Sequence, residues 1–406
     1  MDVRVNRGLG TRDSGLGESS KLQVAPINRD LRFAPTGCPD KSGSPLRSDR
    51  LRVAGFLSFV IKPAPDLIRG HLSLIAGALL WTILGTSCNS NSGDSGDSGD
   101  SGKRNRDKVV EVQVPGFSAD SAYHYIEKQL EFGPRVPNTE AHEQCAVWLE
   151  DKFRSFGADV IVQNPQLEAY NGVKLNSFNI IAQFQPEKVN RLLLMAHWDT
   201  RPYADYDPDP EKRDSPIPGA NDGGSGTGVL LEIARQLGKM PTTLGIDIIL
   251  FDAEDYGVPE HLDIEWRADS WCLGSQYWAR NPHKPNYYAR YGILLDMVGA
   301  KDAIFTREEV SMFYARNVLD KVWKTARELG YGSYFSYEET SQIVDDHRYV
   351  NEIIGIPSID IIQYDFGTES NFGKYWHTHN DDISVIDKST LQAVGETVMH
   401  VIYSEK

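Results

Sequence analysis

Cysteine is scarce in this chain. Four occur in 406 residues, at Cys38, Cys88, Cys145 and Cys272, and no two are spaced as Cys-x-x-Cys. That spacing excludes the usual cysteine-ligated zinc modules. Cys145 and Cys272 are expected to be two buried free thiols rather than a disulfide. An excess of positive charge is lacking too: 42 Lys and Arg stand against 57 Asp and Glu, a net charge of -15. Nucleic acid is thereby excluded as a partner, because phosphate binding needs clustered cations. The apolar run Leu72–Leu84 falls short of the roughly 20 residues a membrane-spanning helix needs.

That run has the length of a signal-peptide core instead. Arg69 and His71 precede it, and Gly85-Thr86-Ser87 lead into Cys88. The segment 72–88 resembles a bacterial lipoprotein signal in which the cysteine becomes the lipidated first residue. A departure is that Leu84 lies four before Cys88, where the usual pattern places an apolar residue three before. The expectation is an exported protein of the bacterial cell envelope. It would be held through lipidated Cys88 or a signal anchor and face the periplasm or cell surface. Residues 1–71 read as a disordered extension or as a start codon assigned too far upstream. Residues 89–108 contain the repeat Gly93-Asp94-Ser95-Gly96-Asp97-Ser98 and its continuation. Gly and Ser make it a flexible tether, and the lack of proline excludes collagen.

The remaining segment, 109–406, suits one enzyme domain in size. Helical spacing marks 118–132 and 139–156, with Ser118 as a cap and Gly157 as a stop. Residues 158–169 and 174–185 alternate as strands around an Asn171-Gly172 turn. Continuous apolarity marks buried strands at 191–196, 246–251, 291–295 and 356–362. Helices are expected at 228–237, 273–279, 315–329 and 389–403. This alternation predicts an α/β fold, with a mostly parallel mixed sheet covered on both faces in three α/β/α layers. A monomer is the expected state.

Acids and histidines recur where these strands end. His197-Trp198-Asp199 follows one strand, Glu254-Asp255 another, and Asp296 interrupts a third apolar run. His197 reads as a ligand or as a satisfied structural group. Asp222 sits in the Gly-rich run 219–226 and reads as a metal-directed carboxylate or a helix N-cap. A phosphate loop is a third reading, but it lacks the Gly-Lys-Ser/Thr ending. Adjacent side chains diverge, so of Glu254 and Asp255 one can bind a metal while the other trades protons. A charge buried at Asp296 requires a partner or a metal. His377 stands beside Trp376, with His379 as a competing ligand. Trp266, Phe372, Tyr375 and Trp376 could form an aromatic wall. Ligands delivered from successive strand ends meet at the carboxyl edge of such a sheet. His, Asp, Glu and Asp in that order suit zinc with an open coordination position.

On these residues, with Phe132-Gly133-Pro134-Arg135, Asp345-Asp346-His347 and Trp376-His377-Thr378, the chain resembles the zinc-dependent aminopeptidase superfamily with the phosphorylase/hydrolase-like fold. Within it the glutaminyl-peptide cyclotransferase family is the nearest match, over roughly residues 115–406. The resemblance implies one zinc held by Asp222, Asp255 and His377, with Glu254 as general acid/base. It implies Asp296 hydrogen-bonded to that acid and Asp346 near the substrate. Trp266 and Trp376 would line the substrate pocket, which Phe372 joins as a substrate-binding aromatic. The implied substrates are peptides and proteins with N-terminal glutamine. The peptidase branch would add a second zinc on His197 and Asp296, with Asp222 bridging. Two departures stand out. Asp255 replaces the superfamily's usual Glu, and the disulfide of animal relatives has no cysteines near His197 or Asp222.

Overall fold

The computed structural model describes residues 113–406. The extension, the lipoprotein-like segment with Cys88, Cys38 and the Gly-Asp-Ser repeat lie outside the described residues. Among those residues no helix is long and apolar enough to cross a membrane.

Among the described residues there are ten strands: β1 Asp159–Gln163, β2 Gln166–Glu168, β3 Lys174–Asn176, β4 Asn179–Phe184, β5 Arg191–His197, β6 Gly245–Phe251, β7 Gly292–Asp296, β8 Phe305–Glu308, β9 Phe335–Thr340 and β10 Ser358–Ile362. Seven α-helices accompany them: α1 Ala119–Leu130, α2 Glu140–Ser155, α3 Gly224–Lys239, α4 Leu273–Arg280, α5 Glu309–Glu328, α6 Asp346–Tyr349 and α7 Lys388–Ser404. The main sheet has the order β1-β4-β6-β5-β7-β10. β1, β4 and β6 pair antiparallel, and β6, β5, β7 and β10 pair parallel. The expected mixed, mostly parallel sheet is therefore present.

Apart from the edge strand β1, its strands are buried on both faces because their side chains alternate between two cores. Leu192, Leu194 and Ala196 of β5 join the larger core with Ile126, Leu149, Leu230 and Val398 from the helices of one face. Leu193 and Met195 join the smaller core with Trp278 of α4 and with Val350 just after α6. These are the three layers.

The predicted boundaries shift where side chains conceal the period. The 158–185 hairpin divides: β1 and β4 join the main sheet, while β2 and β3 form a separate ribbon closed by Gly172 at φ 81. α5 begins at Glu309 rather than 315, and Ala315 carries a non-helical kink there. Exposed Phe313 and Tyr314 mask its apolar stripe. The β8–β9 ribbon went unread because β9, Phe-Ser-Tyr-Glu-Glu-Thr, is mostly polar.

α3 starts four residues earlier than expected, inside Gly-Ser-Gly-Thr-Gly. Glycine is a poor helix former, but here it admits close packing. A Cβ on Gly226 would lie 2.1 Å from the Leu295 carbonyl oxygen at the end of β7. We expect Gly226→Ala to destabilise the fold by about 1–3 kcal/mol through overpacking. A denaturation midpoint equal to that of the unaltered protein would contradict this close approach.

Candidate active site

The parallel strands deliver their acids to one edge. His197 ends β5, Glu254 and Asp255 follow β6, and Asp296 ends β7. Asp222 approaches from the loop before α3. The helix cap there is Gly223, at φ 83 and without a side-chain cap bond, so Asp222 is not the N-cap. Its own backbone N–H donates to Asp381 Oδ2 at 3.0 Å, and that of Asn221 to Asp381 Oδ1 at 2.8 Å. Asp381 thus fixes the loop, and burial pushes its carboxyl up to about 8.

Asp222, Asp255 and His377 bring one potential ligand atom each within 4.8 Å of one another, all buried. His377 Nε2 lies 3.4 Å from Asp255 Oδ1 and 3.7 Å from Asp222 Oδ2. Two atoms bonded tetrahedrally to one zinc at about 2.0–2.1 Å sit roughly 3.3 Å apart. Asp255 Oδ2 is buried with no hydrogen-bond partner. The group therefore has the spacing and the unsatisfied charge that a divalent cation would meet. A second trio, His197, Asp222 and Asp296, also converges. There His197 Nε2 stands 3.1 Å from both Asp222 Oδ1 and Asp296 Oδ1, which is hydrogen-bond distance.

Glu254 faces the same space. Burial raises its carboxyl well above the ordinary range, with Asp255, Asp345 and Asp346 adding to the rise and His197 opposing it. Asp199 braces the pair, since its two oxygens accept the backbone N–H groups of Glu254 at 3.1 Å and Asp255 at 3.2 Å. Cys272 Sγ donates to Glu254 Oε1 at 3.1 Å. Cys145 and Cys272 are both free and buried, as expected. Ala253, Cys272, Met297 and His377 all adopt positive φ. Non-glycine residues rarely do so, and such strain gathers at functional sites. Asp296 titrates up to about 7, chiefly through burial.

A small inner chamber of about 60 Å³ is lined by Asp222, Glu254, Asp255, Asp296 and Asp345, among others. An outer pocket of about 360 Å³ shares Ile343, Val344 and His377 with it. Trp271, Phe372 and Trp376 wall both. Trp376 stacks on His377 at 3.5 Å between ring centroids. Trp266 stands further out, 51% exposed and lining the outer pocket alone.

Three expectations change, the first at Asp296, which hydrogen-bonds His197 at 3.1 Å rather than Glu254. Asp345, not Asp346, lines the chamber. Successive side chains point apart, and Asp346 is turned into the protein, fully buried, with both carboxylate oxygens lacking partners. His379 is not a competitor for the metal position. Its Nδ1 meets Asp207 Oδ2 at 2.9 Å and its Nε2 meets Ser215 Oγ at 3.0 Å.

Arg201 carries no mark of function in the sequence. This fully buried cation makes two bonds to Asp205, at 2.9 and 2.6 Å, and reaches the Asp255 carbonyl at 3.1 Å and its carboxylate at 3.3 Å. It also lies 4.5 Å over the Trp271 ring. Asp205 Oδ1 in turn faces His377 Nδ1 at 3.1 Å. Burial raises the Asp205 carboxyl, but Arg201 and His377 outweigh it and hold it far below the usual range. One cation thus steadies Asp255 directly and His377 through Asp205. A carboxylate behind a ligating histidine is the common support of metal sites.

Residues 179–402 match peptidase family M28. The chain belongs to this family. Among solved structures, Tannerella forsythia glutaminyl cyclase is 58% identical with a TM-score of 0.71, covering 72% of this chain and all of that one. A Zn-dependent exopeptidase from Parabacteroides distasonis is 54% identical with the same score and the same coverage. Among curated proteins, aminopeptidase YwaD of Bacillus subtilis is 30% identical over 239 residues, 56% of this chain. The match spans 44% of that relative's length. The proteins similar to this chain therefore carry both cyclase and peptidase names.

Proposed function

We propose that this M28 protein is a zinc-dependent glutaminyl-peptide cyclotransferase. It would convert N-terminal glutamine of peptides and proteins to pyroglutamate with release of ammonia. The observation that carries this reading is Glu254. It is a buried carboxyl with a raised proton affinity, in one small chamber with the Asp222–Asp255–His377 cluster and under aromatic walls.

Zinc held by Asp222, Asp255 and His377 would supply Lewis-acid polarisation of the substrate's side-chain amide carbonyl. Glu254 takes a proton from the α-amino nitrogen as that nitrogen bonds to the amide carbon. The carbon–nitrogen bond to the departing group then breaks, and Glu254 returns the proton to it, so that it leaves as ammonia. No water enters the reaction. Trp271, Phe372 and Trp376 exclude it, and Trp266 at the rim meets the following residues of the peptide. Asp345 is the chamber carboxylate that would hold the amine, where the resemblance implied only that Asp346 lies near the substrate. Asp296, which lines the chamber, is hydrogen-bonded to His197 at 3.1 Å.

We favour one zinc at Asp222, Asp255 and His377, although His197 Nε2 lies 3.1 Å from Asp222 Oδ1 and from Asp296 Oδ1, a spacing that also suits a second ion. The second reading is a two-zinc aminopeptidase in which those same residues hold the other ion. Mass spectrometry of a Gln-initiated and a Leu-initiated peptide, each incubated with the protein and zinc, separates the two. Loss of ammonia from the Gln peptide alone is expected. Release of the first residue from either peptide would move the assignment to the peptidase. The leader further suggests an exported lipoprotein anchored at Cys88, with 89–108 as tether and 109–406 as catalytic domain. Metabolic labelling with a fatty acid, lost in Cys88→Ala, checks the anchor.

A further inference from the structure

Behind the chamber lies a group of buried polar side chains that the reaction above does not use. Asp360 sits in the middle of β10, fully buried, and neither of its carboxylate oxygens has a donor. Asp345 Oδ2 and His347 Nδ1 are orphaned as well. Asp345, His347 and Asp360 present atoms that all lie within 4.8 Å of one another. Glu308 closes the group from behind, 3.1 Å from His347 Nε2. Buried polar atoms without partners are rare, and several in one place require an explanation.

Two carboxylates in contact inside a core cannot both stay ionised, so one keeps its proton. The donors nearby show which one. Glu308 accepts from His347, from the Val310 N–H at 2.8 Å and from the Ser311 N–H. Asp345 accepts the Asp346 N–H at Oδ1. Asp360 accepts from nothing, so its charged form is the least supported of the three. His347, with Nε2 spent on Glu308, turns Nδ1 toward Asp360 Oδ2 at 3.7 Å. In the singly protonated ring that nitrogen is an acceptor. A proton on Asp360 would give the orphaned Asp345 Oδ2 the donor it lacks.

We propose that Asp360 is a protonated positioning residue whose O–H donates to Asp345, holding that carboxylate ionised and turned into the chamber. Burial, followed by Asp345, Asp296 and Glu308, pushes Asp360 well above the carboxylate range, which agrees. The chain of contacts runs from Glu308 through His347 and Asp360 to Asp345, and Asp345 stands within reach of Glu254 and Cys272. The effect on turnover rests on the cyclase reading, in which Asp345 holds the substrate amine.

The test compares Asp360→Asn, which keeps shape and a donor, with Asp360→Ala, which keeps neither, in the full-length zinc-loaded protein. The Asn variant is expected within about threefold of the parent kcat on a Gln-initiated peptide, and the Ala variant about tenfold to a hundredfold below it with a smaller change in KM. An Asn variant that falls as far as the Ala variant would overturn the proposal, because an ionised Asp360 or a cation ligand gives that pattern. An Ala variant with full kcat would overturn it too. Infrared difference spectra of parent minus Asn variant are expected to show the carbonyl stretch of a buried carboxylic acid. Its absence sinks the proposal whatever the reaction. Cleavage in place of cyclisation would sink the proposed function and leave this spectral result untouched.

Discussion

Glu254→Gln is expected to leave a folded, zinc-loaded protein that turns over about 10²–10⁴ times more slowly, the usual contribution of a positioned acid/base. Glutamine matches glutamate in shape, and Asp199 holds the backbone of residues 254 and 255 rather than the Glu254 side chain. The chamber should therefore keep its form. What disappears is a group able to take the α-amino proton and hand it to the departing nitrogen. The loss should fall on kcat, because the proton moves only on the way to the transition state. Steady-state assays of ammonia release, with zinc content measured on the same sample, check both halves. Activity near that of the parent would remove Glu254 from the mechanism. Lost zinc with lost activity would instead make it a ligand.

Asp222→Ala is expected to abolish stable zinc binding. Asp222 supplies one of three atoms in the cluster with Asp255 and His377. Two protein ligands rarely retain zinc against dialysis, since structural and catalytic sites use three or four. A second consequence follows from charge. Asp255, Asp296 and Asp381 are each raised by burial first and by Asp222 among their further causes. Removing Asp222 relieves that repulsion, but it also takes away a carboxylate that, despite burial, His197, His377 and Arg201 hold in its charged form. A ligand that binds only the folded state stabilises it, by about 4 kcal/mol at a thousandfold excess over Kd. Chelator should therefore lower the melting temperature of the parent and leave that of the variant unmoved. Full zinc occupancy in the dialysed variant, by elemental analysis, would reject the assignment.

Much of this site was legible because its acids follow apolar runs. Asp296 after Ile293-Leu294-Leu295, Glu254-Asp255 after β6 and His197 after β5 each stand at a strand end. A charge there needs a reason in the sequence itself. The wall was partly legible too. Phe372 and Trp376 line both cavities, while Trp271 was overlooked because nothing distinguishes it from a core tryptophan. Asp345 was displaced by one position, since a pair of adjacent acids does not say which one turns outward. Arg201 was illegible, because an arginine four residues past a strand ordinarily reads as surface.

The sequence by itself determined the fold class, the order of the strands that carry chemistry and the residue types at their ends. Apolar runs and their interruptions are local, and local periodicity records which stretches must be buried. Only the tertiary structure decided which of those groups meet. Asp222 and Asp381 are 159 residues apart yet share a hydrogen bond, as do Arg201 and Asp255 across 54 residues. Such contacts depend on the sheet order and on the path of each loop, and a single position carries no mark of its distant partner. The same holds for protonation. Whether Asp360 bears a charge depends on the few donors that folding places around it, and folding places none.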